Sequence, residues 1–133
     1  MEKKPKILLV DDDVDFVEAT KIVLESKPYE VIVAYQGEEG LQKARKENPD
    51  LILLDVIMPV KDGFAAAEQF KKDPQLSKIP IIMLTSFSTR GAGTGIPRSR
   101  GAALEAEDYV EKPINPQELL RKVETYLKPR TRG

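Results

Sequence analysis

The sequence predicts an α/β domain, a doubly wound, parallel five-stranded sheet with helices on both faces. Short apolar runs alternate with helix-length segments along most of the chain, the pattern of right-handed βαβ crossovers. Two of these runs, residues 51–54 and 81–84, are apolar at every position, as expected of strands covered on both faces. Four of the five runs end on residues able to do chemistry, at the edge where parallel sheets gather ligands.

The first strand, residues 6–10, leads into the stretch ILLVDDDVDF. Phe16, Ala19, Thr20, Val23 and Leu24 then recur at helical spacing and predict a helix with one apolar face. A second strand at residues 30–34 precedes a weaker stripe of Gly40, Leu41 and Ala44. Strand 51–54 is followed by the stripe Phe64, Ala67 and Phe70, and then by strand 81–84. Between residues 86 and 107, Gly91, Gly93, Gly95, Gly101 and Pro97 oppose an amphipathic helix, so the fourth helix is expected to be short or replaced by a loop. The fifth strand is residues 108–111. The last helix has Asn115 as N-cap, Pro116 in the first turn, Glu118 to complete a capping box, and Leu119, Leu120, Val123 and Leu127 on one face. It is expected to end near Lys128, before Pro129, giving one domain over residues 1–128 and a frayed tail over 129–133.

Composition narrows the chemistry. The 133 residues are 41% hydrophobic and 32% charged, the balance of a folded domain rather than a disordered chain. Lys plus Arg number 21 against 22 Asp plus Glu, so no charge excess argues for nucleic acid or an anionic membrane. With no cysteine and no histidine, disulfides, thiolate or imidazole metal sites, and Cys or His catalysis are excluded, and oxygen ligands remain for a metal. The start MEKKPKILLV has too few apolar residues for a signal peptide or a membrane span; the cytoplasm is the expected location.

Three consecutive aspartates at a strand end raise one another's cost of ionisation. Water, a helix N-terminus or a bound cation would each offset it. Asp11 and Asp12 follow strand one, Asp55 follows strand three, Thr85 follows strand four and Lys112 follows strand five. Singly each has an ordinary reading: a dipole-favoured helix start, a turn residue before Met58-Pro59, a backbone-bonding threonine, an exposed lysine. Their order on successive strands favours one site.

With ILLVDDDVDF, PDLILLDVIMPVKDG, KIPIIMLTS and EDYVEKPINPQELL in that order, the chain resembles the receiver domains of two-component response regulators, chemotaxis-regulator-like and flavodoxin-like in fold, over nearly its full length. The resemblance implies that Asp55 accepts a phosphoryl group from a histidine kinase or phosphotransfer protein. It implies magnesium, with manganese an alternative, held by Asp12 directly, Asp11 partly through water, Asp55 and the main-chain carbonyl of Ile57. Thr85 would be the switch hydroxyl, Lys112 the lysine on the phosphoryl group, Tyr109 the aromatic that changes rotamer, and Pro113 the second residue of a cis peptide bond. The implied role is a phosphorylatable signalling domain rather than an enzyme, with at most self-phosphorylation and slow self-dephosphorylation. Ile57 and Phe87, two residues beyond Asp55 and Thr85, are apolar and cannot orient a water, so slow hydrolysis is expected. With the chain ending at Gly133, the response is expected to pass to a separate downstream protein, without nucleic acid or membrane.

The match is weakest over residues 86–107. Arg90, Arg98 and Arg100 there read as a solvated loop, or as a segment that orders on a partner's acidic surface. Gly91, Gly93 and Gly95 hint at a phosphate loop, but Pro97 and Arg98 stand where its helix would open. Two other functions compete. A haloacid dehalogenase-type phosphatase needs Thr or Val where Asp15 stands, counting from Asp11. A receiver-like binding scaffold without phosphorylation would keep the fold alone.

Overall fold

The computed structural model describes residues 4–55, 63–86 and 107–131. Its elements run β1 (Lys6–Val10), α1 (Val14–Glu25), β2 (Glu30–Ala34), α2 (Gly37–Glu47), β3 (Leu51–Asp55), α3 (Gly63–Lys72), β4 (Ile81–Ser86), β5 (Asp108–Lys112) and α4 (Pro116–Thr131). The strands form one sheet in the order β2-β1-β3-β4-β5, every pair parallel. The order reverses beside β1, so a crevice opens between the carboxyl ends of β1 and β3. The expectations for Ile57, Phe87, the arginines at 90, 98 and 100, and the segment between β4 and β5 lie outside the described residues.

Side chains alternate across a strand, and the two sets build two cores. Leu8, Val10, Ile52, Leu54, Ile81 and Met83 pack with Leu41 and Ala44 of α2 and with Ala66, Ala67 and Phe70 of α3. Ile7, Leu9, Leu51, Leu53, Ile82, Leu84 and Val110 pack with Val17 and Leu24 of α1 and with Leu119, Val123 and Leu127 of α4. Each fully buried aliphatic side chain contributes roughly 1.5–3 kcal/mol. α2 approaches β1 closely because Gly40 has no side chain: a Cβ there would stand 2.9 Å from Val10 Cγ2. The helix stops at Asn48, which takes the left-handed conformation at φ 53° and returns its N–H to the Ala44 carbonyl, just before Pro49.

Two sequence expectations are corrected. Ala19 is exposed, and the buried face of α1 is Val17, Thr20 and Leu24. At about 100° per residue Val17 rotates the centre of the stripe, leaving Phe16 and Val23 at its half-buried margin and Ala19 beyond it. The last helix also runs past Lys128 and Pro129 to Thr131. Proline costs a backbone donor and disfavours helix in the residue before it, a preference and not a prohibition. Its start carries the expected N-cap, with Asn115 Oδ1 accepting from the Glu118 N–H at 3.0 Å. Among the described residues no helix is long and apolar enough to cross a membrane.

Candidate functional site

The register of the sheet sets the site. Asp55, the last residue of β3, is level with Leu84 of β4 and so with Val110 of β5. It therefore shares their face, the one covered by α1 and α4. Asp11 continues the alternation of Ile7 and Leu9, and its N–H still bonds the Ala34 carbonyl at 3.1 Å. Lys112 stands two residues beyond Val110, and its long stem returns the ammonium to 2.9 Å from Asp11 Oδ2 and 3.4 Å from Asp55 Oδ1. The Lys112–Pro113 peptide bond is cis.

The three consecutive aspartates divide their tasks. Asp11 is fully buried, and its other oxygen, Oδ1, accepts the Asp13 N–H at 2.9 Å. Asp13 is the N-cap of α1, accepting the Phe16 N–H at 3.1 Å, so the plain helix-start reading holds for this residue. Asp12 is exposed. Carboxylate oxygens of Asp11, Asp12 and Asp55 lie within 4.8 Å of one another, while Asp55 itself is only 6% exposed.

Among the described residues, three carboxylates and one ammonium meet at this edge. Burial pushes the Asp11 carboxyl above its usual range, outweighing the hydrogen bonds from Lys112 and the Asp13 N–H. Burial also pushes Lys112 down, but hydrogen bonds and charge from Asp11 and Asp55 together carry it above the usual lysine value. The donor set is all oxygen and closely spaced, which suits a small hard dication such as magnesium.

Two further expected residues lie on β4 and β5. Thr85 is in β4, paired with Glu111; the expectation for its hydroxyl lies outside the described side chains. Tyr109 is level with Met83 and packs half-buried on the opposite face, against the α2 and α3 core, where burial raises its phenol. Helical periodicity places Phe16 in the apolar stripe of α1, yet the Lys112 ammonium lies 4.2 Å from its ring centroid. The N-cap spacing from Asp13 to Phe16 was the available signal: it fixes that ring in the first turn, beside the strand tips.

An acidic cleft with a facing lysine at the carboxyl ends of a five-stranded parallel sheet defines a class of phosphoryl-handling signalling domain. The chain belongs to the response regulator receiver domain family, whose model matches residues 7–124. It is 40% identical over 126 residues to the Probable transcriptional regulator ycf27 of Pyropia yezoensis, covering 95% of this chain and 49% of that protein. The chain thus spans about half the length of the curated relatives it matches. Among solved structures, the chemotaxis protein CheY4 of Vibrio cholerae superposes with a TM-score of 0.82 at 33% identity, covering 94% of this chain and all of that one. The receiver domain of sensor histidine kinase PA1611 from Pseudomonas aeruginosa PAO1 has a magnesium ion coordinated in its active site cleft. It matches with a TM-score of 0.82 at 26% identity over 95% of this chain and 99% of that one.

Proposed function

We propose that Asp55 is the phosphoryl acceptor of this receiver, taking its group from a phosphohistidine on a histidine kinase or phosphotransfer protein. The observation that carries this is the placing of the Asp55 carboxylate, at the tip of β3, beside Asp11 and Asp12 and 3.4 Å from the Lys112 ammonium. In the transfer an Asp55 oxygen forms the new O–P bond, the N–P bond to the donor imidazole breaks, and that nitrogen keeps the electron pair. A carboxylate nucleophile carries no proton to remove, so the transfer requires no general base. Lys112 neutralises charge on the moving phosphoryl oxygens, which is most of what such a transfer demands.

Asp11, Asp12 and Asp55, with the Ile57 carbonyl, would hold magnesium, or manganese in its place, and the bound ion would supply charge neutralisation to the phosphoryl oxygens. The acidic cluster and the magnesium-bearing relative support this reading. Phosphorylation replaces one negative charge with roughly two and adds acceptor oxygens. That change draws in the Thr85 hydroxyl and lets Tyr109 repack on its face of the sheet, altering the surface offered to a downstream protein or domain.

The test is intact mass after incubation with acetyl phosphate and magnesium. A lasting gain of one phosphoryl group in the wild type, absent in Asp55→Asn, is the expected result. Continuous turnover of the phosphate donor would instead support the phosphatase reading, and no adduct at all the silent scaffold.

A further inference from the structure

Four contacts close a ring around the first turn of α1. Asp11 Oδ1 accepts the Asp13 N–H at 2.9 Å, and Asp13 Oδ1 accepts the Phe16 N–H at 3.1 Å. The Phe16 ring centroid is 4.2 Å from Lys112 Nζ, and Lys112 donates back to Asp11 Oδ2 at 2.9 Å. The N-cap thus fixes the turn from which the ring stands, and the ammonium lies over the face of that ring. Lysine needs such a wall, because its ammonium is a point charge on a flexible stem with no preferred direction of its own. Phe16 is itself steadied, half-buried against the α1 and α4 core.

We propose that Phe16 is a positioning residue for phosphoryl transfer: the face of its ring holds the Lys112 ammonium at Asp11 and Asp55, where the incoming phosphoryl oxygens will be met. This rests on the reading of Lys112 given above. The attraction comes from the negative face of the aromatic ring, so an aliphatic side chain of similar bulk fills the space without supplying it. The Lys112 side chain is 21% exposed, which puts the pair between the solvated and the desolvated cases, and replacing the ring is expected to slow phosphorylation about fivefold.

The experiment uses the full chain with acetyl phosphate and magnesium, the rate being followed by intact mass for wild type, Phe16→Tyr, Phe16→Leu, Lys112→Ala and the Phe16→Leu, Lys112→Ala double variant. Expected are a Tyr variant within about twofold of wild type, a Leu variant slowed about fivefold, and no further slowing by Leu once Lys112 is absent. Unchanged speed in Phe16→Leu overturns the proposal, as does the same slowing in both lysine backgrounds, which marks a structural effect. A Lys112→Ala variant as fast as wild type instead overturns the reading of Lys112 itself. Should Lys112→Ala be too slow to measure, NMR of the Lys112 ε-methylene decides. Its upfield ring shift should persist in the Tyr variant and vanish in Leu, and a wild type without that shift overturns the proposal.

Discussion

At the amino ends of the strands Glu107 and Asp108 each have a lysine of their own, whereas at the carboxyl ends Asp11 and Asp55 share Lys112 with Asp12 beside them. Glu107 accepts the Ile81 N–H at 2.7 Å and pairs with Lys71 at 3.3 Å. Asp108 pairs with Lys122 at 3.2 Å and accepts the Tyr126 hydroxyl at 3.2 Å. Among the described residues, these two acids at the amino edge each have their own lysine, while three carboxylates lie around one ammonium at the carboxyl edge. The sharing of one cation by several acids, more than the presence of acids, separates the two edges among the described residues.

Removing Lys112 tests that contrast hardest. Lys112→Ala leaves the buried Asp11 carboxylate uncompensated and is expected to cost about 3 kcal/mol in chemical denaturation; a loss under half that size would mean the pocket is already relieved by solvent. Magnesium should act in the opposite direction. At a hundredfold excess over its dissociation constant it is expected to stabilise the wild type by about 2.7 kcal/mol, with much of that gain lost in Asp12→Asn, as read from thermal midpoints. At the amino end, Glu107→Ala strands the Ile81 N–H in the core and is expected to cost about 2 kcal/mol, with no change in magnesium response.

Asp108 gives the smallest effect and a pH signature. Burial pushes its carboxyl up, but the Tyr109 N–H, Lys122 and the Tyr126 hydroxyl together bring it below the ordinary value of 3.8. Its contribution is therefore present above pH 3.8 and fades as the pH falls through the lowered folded-state value. Asp108→Asn should cost about 1 kcal/mol at pH 7, and its curve should converge on that of the wild type in acid. Parallel curves would assign the role of Asp108 to shape alone.

The strands were legible because a strand covered on both faces must be apolar throughout, as residues 51–54 and 81–84 are. Convergence of Asp11, Asp12, Asp55 and Lys112 followed from topology, since parallel strands place all their carboxyl ends on one edge. The division of labour within Asp11, Asp12 and Asp13 was not legible: burial of the first and capping by the third depend on where α1 begins to turn. Phe16 was hidden for a related reason. Helical periodicity locates a face but not its margin, and the partner of that ring lies on β5, distant in sequence. The overrun at Pro129 shows the weakness of a local rule at a helix end, where little is lost by bending it.

Among the described residues β5 lies at the sheet margin and pairs with β4. Its root is fastened by Lys122, which bonds both the Asp108 carboxylate and the Tyr109 carbonyl, and by the Tyr126 hydroxyl; its tip is held through the ammonium of Lys112. β5 is laddered to β4 along its whole length, from Asp108 to Lys112, so its two ends differ in their side-chain anchors and not in their backbone pairing. If Asp55 takes up an anion as proposed, the anchor at the tip is the one that changes, while the root stays bound to α4 through Lys122 and Tyr126.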